Sequence, residues 1–477
     1  MEAKGGGGIR FPQFSGSNYK VYITLFFAII AAIISTRLIT NMPDITKAGI
    51  IIAAVAFIVA TFIDTNIGLI AILLSMLLSP EMEAGSTAGR SIVIRAEDLL
   101  LIIVSLTWLA KMAVRKTPLI RSSPLNAPIG IYVAVIIIST VRAMIAGNVL
   151  PLKGAFYVLK VVEYYILYFI VLNETSSNKQ VKMFLVVLLL TAFFVGLYGN
   201  THIGSVSRIS APFEGEGEPN TLGGYLLFIL CLIGGLIFYY KEKRHLLILL
   251  LLFLVPTFLF TLSRASYLGM AVSMVAFVAI TKDRRVFTAV LLLSLLGILV
   301  FSFGPQPLKD RVLGAFKPEE SQELKQFGMV SLGPSPAARI RSWDAVFKED
   351  ISKAPILGRG VTGLRFLDSQ YVLVLGETGF IGLFVFLWVM WRAWRAAYDT
   401  YNKVENPLYK GLTLGYLMGF AGLMAHAIGS NTFLIIRIAE PFWFFTAIVI
   451  KLVDIETGAE TMKEYLAAVG PGTWRYR

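Results

Sequence analysis

The chain is poor in the residues that build disulfides and metal centres. Its 477 residues include one cysteine and three histidines. The cysteine, Cys231, lies inside an apolar run, which excludes an intramolecular disulfide and a cysteine metal site. The histidines, His202, His245 and His426, are scattered and give no zinc-ligand spacing. No metal and no cofactor is expected. Charge is scarce too: 15% of residues are charged and 56% are hydrophobic. A soluble protein of this length needs far more charge to cover its surface. The formal net charge of +13 would suggest nucleic acid in a soluble chain. Here it reflects Lys and Arg on cytoplasmic loops, and no nucleic-acid partner is expected.

Apolar runs of membrane-spanning length recur from Val21 to the last fifty residues. They predict an all-α fold, a polytopic transmembrane bundle of about 12–14 spans embedded among membrane lipids. The first run follows a short, weakly basic leader without a small-residue cleavage pattern and reads as a retained helix.

One run sets the topology. His245 to Thr281 as a single helix would be about 55 Å long at 1.5 Å per residue, against a hydrocarbon core of about 30 Å. It must fold back on itself. Its ends, KEKRH (Lys241 to His245) and KDRR (Lys282 to Arg285), are both basic and therefore cytoplasmic. The middle, TLSRASYLGM, then turns at the outer face, and Arg264 sits at the membrane edge rather than at the midplane, where an arginine costs about 2.5–3.5 kcal/mol. Carrying this parity both ways places both termini inside and makes Pro80 to Arg95, His202 to Asn220, Gly304 to Ser369 and Gly429 to Asn431 outside segments. Three regions follow: helices with short loops over 1–303, a large periplasmic loop over 304–368 carrying short helices, and C-terminal helices with a cytoplasmic tail over 369–477. Within the loop, Ile340, Trp343, Val346 and Phe347 fall on one face of an amphipathic helix.

Several outward arginines have no packing rationale in the sequence: Arg208, Arg264, Arg339, Arg341, Arg359 and Arg365. A guanidinium is always charged and presents a planar fork of donors suited to phosphate. Lys160 with Glu163, and Arg437 with Glu440, stand at i,i+3 within apolar helices and read as self-neutralising pairs. Arg437 and His426 lie near enough to the outer face to line the same cavity. Gly223, Gly224, Gly376, Gly379 and Gly382 read as close-packing positions.

The ordered set PNTLGGYL, SRASYLGM, Arg339 spaced from Trp343, PILGRG and DSQYVLVLGETGFIGL resembles the O-antigen ligase and O-antigen polymerase family of bacterial envelope proteins, over about Arg208 to Leu383. The resemblance implies an inner-membrane glycosyltransferase, inverting and metal-independent, acting at the periplasmic face. Its donor would be a glycan on undecaprenyl diphosphate and its acceptor a hydroxyl on a lipid- or glycan-linked molecule. On this reading Arg208 and Arg264 bind the diphosphate, joined by Arg339 or Arg341 from the loop. Where the ligases usually carry a histidine at the start of the DSQYVLVLGETG motif, this chain has Asp368, a carboxylate able to act as base or to cap the next helix. Glu218, Asn220 and Glu377 are further polar candidates. A bundle with charges inside the membrane also fits a lipid-linked glycan flippase or another transporter. Against that reading, no matched halves with interrupted helices are visible.

Overall fold

The computed structural model describes residues 44–469, apart from 80, 88–89, 116–120, 215–217, 304–305, 307–308, 311–325, 328–329, 332–333 and 365–366. The run beginning at Val21, much of the first half of the long loop, and Arg365 lie outside the described residues. The helices are α1 (Asp44–Ile63), α2 (Thr65–Leu78), α3 (Ala96–Arg115), α4 (Asn126–Ile145), α5 (Pro151–Glu174), α6 (Asn178–Thr201), α7 (Pro219–Tyr239), α8 (Arg244–Phe260), α9 (Arg264–Thr281), α10 (Arg284–Phe303), α11 (Pro334–Ala345), α12 (Gln370–Lys403), α13 (Pro407–His426) and α14 (Ile436–Val469). Six of them, α4, α5, α6, α7, α9 and α12, are each long and apolar enough to cross a membrane. The protein is an all-α polytopic membrane protein. The segment after Pro80 adds a feature that composition did not suggest, an antiparallel hairpin of β1 (Glu81–Thr87) and β2 (Arg90–Arg95). A second small hairpin pairs β3 (Gln326–Phe327) with β4 (Val330–Ser331).

Two compact units share the chain. The smaller takes residues 1–71 and 99–119. Within it the buried Lys111 ammonium donates to the Thr61 carbonyl (3.2 Å) and the Thr65 hydroxyl (2.6 Å), so an intramembrane cation is satisfied by backbone and hydroxyl oxygen.

The larger unit takes residues 72–98 and 120–477. Its centre is α7, apolar all round and buried along nearly its whole length, as a helix without a polar face must be. Against α7 lies α13, and the pair meets through glycines. A Cβ on Gly235 or Gly415 would run into the backbone of the facing helix, so the contact depends on their having none. Around this pair pack the buried rings of Phe228, Tyr416, Phe420 and Phe442; Tyr416 and Phe442 stack with centroids 5.6 Å apart. Local signals set the helix ends. Ser177 and Gln180 close a reciprocal capping box on α6, and proline opens α5, α7 and α13.

The 37-residue apolar run does break: α8 stops at Phe260 and α9 starts at Arg264. The loop helix also departs from the periodic pattern. After Ala345 the chain widens into a π-helical stretch, Val346–Ile351. Val346 stays buried, while Phe347, expected on the same face, is 49% exposed. The wider turn rotates it off the α-helical stripe.

The end of the loop then enters the bundle as a strap between α4 and α12. Helix α12 is interrupted at Gly379 (φ 69°, ψ −170°), a backbone region that only glycine adopts readily. The strap satisfies the groups released there. Arg359 N and Gly360 N donate to the carbonyls of Gly376 and Glu377, each at 2.8 Å, and Phe380 N donates to Pro355 O at 2.9 Å. From α4, Ser139 and Arg142 donate to the strap carbonyls of Leu357 and Gly358.

Replacing Gly415 by leucine should separate α7 from α13 and lower the melting temperature of the detergent-purified protein sharply, since overpacking typically costs about 1–3 kcal/mol and a backbone clash more. A Gly415→Leu protein that melts with the wild type would contradict this packing.

Candidate functional site

Breaking the α8–α9 run creates a site at the break. Helix α8 ends with carbonyls that have no intrahelical partner, and the link Thr261–Ser263 is tight, with Leu262 in the left-handed region at φ 49°. Arg208, from the segment before α7, meets this end: its Nε donates to Thr261 O at 3.2 Å and its Nη2 to Leu262 O at 3.4 Å. A charged donor at a helix C-terminus is favourable. Ser263 caps α9, accepting from Ser266 N, and its hydroxyl donates to Asn220 Oδ1 at 2.8 Å. Ser266 Oγ donates back to Ser263 Oγ at 2.8 Å. Arg264 is the first residue of α9 and half-buried. The turn thus seats two arginines, Arg208 and Arg264, one docked on its carbonyls and one growing from it.

A second group comes from the long loop. Arg339 on α11 approaches Asp368 with Nη2 to Oδ2 at 3.5 Å, both side chains partly exposed. A pair this open is worth about 0.2–1 kcal/mol, so an incoming polyanion can displace the carboxylate. Ser369 occupies the cap position of α12 without a side-chain cap bond; Asp368, one residue earlier, faces Arg339 instead of capping.

The α13–α14 turn fastens the start of α12. Asn431 Nδ2 donates to Leu367 O at 2.5 Å. Gln370 N donates to Ala427 O and Ser430 O, and Gln370 Oε1 accepts from Phe433 N at 3.0 Å. The same turn joins the two arginine groups. A Cβ on Gly429 would lie 3.4 Å from the Ala265 side chain and 3.8 Å from Arg339 Nη1. Gly429 therefore sits between the first turn of α9 and the Arg339 guanidinium.

The other sequence candidates divide. Asn220 is in the site through Ser263. His426 is fully buried beneath it, with Nδ1 2.7 Å from Thr432 Oγ1, and it packs against Gly224, which makes it a clamp between α13 and α7. Arg341 is exposed and points away, two residues and about 200° round the helix from Arg339. Glu218 is exposed at the cap position of α7. Glu377 is buried at the α12 break, where Oε1 accepts from Thr362 N at 2.9 Å; it holds the strap. Arg359 also belongs to the strap, 3.3 Å from Asp350. Lys160 does pair with Glu163 at 3.4 Å, and it contacts Asp98 as well. Arg437 does not neutralise Glu440. Its Nη1 donates to Pro212 O at 3.1 Å and lies 3.9 Å from Glu214, and Nη2 donates to Ser79 O at 3.4 Å. Among the described residues, neither oxygen of Glu440 has a hydrogen-bond partner.

Sequence reading missed Ser263, Ser266 and Gly429 as site-forming residues. A serine immediately before the arginine at a forced turn is a cap signal, and it was available; the role of Gly429 depends on tertiary packing.

The residues gathered at the turn are basic and partly exposed, with the Asp368 carboxylate beside Arg339. They can hold an anion with several oxygens and present a base beside it. No curated protein matches the chain. Residues 249–387 match the family model described as O-antigen ligase; that stretch contains Arg264, Arg339 and Asp368, and Arg208, Asn220 and Gly429 join them from outside it. The match supports a relation to the O-antigen ligase family of membrane proteins over that stretch.

Proposed function

We propose that the protein is a glycosyltransferase of the bacterial inner membrane, working at the periplasmic face with both chain termini in the cytoplasm. It moves a glycan from an undecaprenyl-diphosphate donor to a hydroxyl of a lipid- or glycan-linked acceptor. The observation that carries the proposal is the seating of Gly429 between the Arg264-bearing turn and Arg339, with Asp368 beside Arg339. That arrangement supports a diphosphate lying across the two basic groups.

The chemistry follows from the donor. In a glycosyl diphosphate the bond from the anomeric carbon to the phosphate oxygen breaks as the acceptor oxygen bonds to that carbon from the opposite face, inverting its configuration. The departing diphosphate gains negative charge, and preorganised guanidinium groups stabilise it where other enzymes use a metal ion. On this reading Arg264 and Arg339 do this work, and Arg208 fixes the turn that carries Arg264. Binding of the diphosphate to Arg339 releases Asp368, whose carboxylate takes the proton from the acceptor hydroxyl.

Purified protein in detergent, given a lipid-linked oligosaccharide and an acceptor, is expected to form product. Transport alone would need a sealed compartment and give none, which is how a flippase would reveal itself. Arg264→Ala or Arg339→Ala should lower kcat by about 10²–10³-fold, the usual loss for one donor to a developing anion, while Arg341→Ala stays close to wild type. Equal losses in all three variants would contradict the placement.

Asp368→Asn keeps the size of the side chain and removes the base. It should lower kcat by about 10²–10⁴-fold, with donor binding measured by direct titration unchanged or tighter, because the competing anion is gone. Full turnover by Asp368→Asn would remove Asp368 from the mechanism.

A further inference from the structure

A separate set of charges lies buried where α14 packs against α5 and the start of α3. Glu440 is fully buried, and among the described residues none donates a hydrogen bond to either carboxylate oxygen. The charged groups acting on it are Glu97 and Asp98 from α3, Glu163 from α5, and Lys160. Lys160 is already committed, in contact with Asp98 and 3.4 Å from Glu163. Glu97 takes the Ser79 hydroxyl and stands 3.9 Å from Arg95. Tyr164 of α5, in the same neighbourhood, donates its hydroxyl to Leu434 O at 2.7 Å. Arg437, one turn before Glu440, is turned toward Pro212 O, Ser79 O and Glu214. Around Glu440 there are thus three carboxylates, and the nearby cations are engaged elsewhere. An ionised carboxylate with no donor in such a place is far costlier than a neutral acid.

We propose that Glu440 is a proton-binding site, and that its occupancy decides where Arg437 binds. With the proton on, Glu440 is uncharged and Arg437 holds the 208–214 segment and the end of α2 through Pro212 O and Ser79 O. When the proton leaves to water, a carboxylate appears at i+3 from Arg437 and draws the guanidinium to itself. Pro212 and Ser79 then lose their charged donor, and the segment carrying Arg208 loosens. The site is independent of the glycan-transfer reading, since it requires no donor or acceptor.

The test is infrared spectroscopy of the full-length protein in detergent over a pH series. The carbonyl stretch of un-ionised carboxylic acid is expected at neutral pH, and Glu440→Gln should remove one component of it. Glu440→Gln should also melt no lower than wild type, one uncharged group replacing another. Hydrogen-exchange protection of the amides at 209–211 and 213–214 should fall in wild type at the pH where the Glu440 component disappears and stay level in Glu440→Gln. If the glutamine variant does not fold, Glu440→Asp must keep the band at a shifted frequency. Identical wild-type and variant spectra would overturn the proposal, as would a band removed by sodium at constant pH, which would make the site one for a metal cation.

Discussion

Where a helix breaks inside a packed bundle, each buried peptide group released by the turn must find a partner, and here the protein supplies it. This constraint organises the molecule. The apolar run from His245 to Thr281 is too long to cross once and must turn, and the turn exposes the carbonyl end of α8. Arg208 answers that exposure by donating to Thr261 O and Leu262 O. The site is therefore a consequence of how the turn is satisfied: the residue that stabilises the break is the one that gathers basic charge beside Arg264.

The second break obeys the same rule. Gly379 interrupts α12, and the strap Ala354–Val361 supplies the missing donors and acceptors. Because the strap is continuous with α11 at one end and with Asp368 at the other, tying it to α12 and α4 also fixes Arg339 and Asp368 relative to the bundle. The α13–α14 turn completes the assembly by gripping Leu367 and Gln370. Two local backbone problems, each solved by a segment outside the broken helix, bring the loop and the helical break together around Gly429.

Much of this was legible in advance, for reasons that differ by residue. The break near Arg264 followed from length against bilayer thickness, a geometric necessity. The membrane class followed from composition. The pairing of Arg339 rather than Arg341 with Asp368 was not readable, because both arginines lie in the same short stretch and only the helix phase at α11 separates them. Phe347 failed for a related reason: a π-helical stretch changes the periodicity on which facial arguments rest. Arg437 and Glu440 looked like a pair by spacing, yet the guanidinium turns to Pro212, Ser79 and Glu214, partners that tertiary structure alone supplies. Glu377, a candidate carboxylate in the GETG stretch, serves the backbone at the strap.

The account stands on one location for the phosphates, and cryo-electron microscopy of the protein with a bound lipid diphosphate measures it directly. Density for the two phosphates between Arg264 and Arg339, next to Gly429, is the predicted result. Phosphates resolved in another part of the bundle, with Arg339 still paired to Asp368, would contradict it.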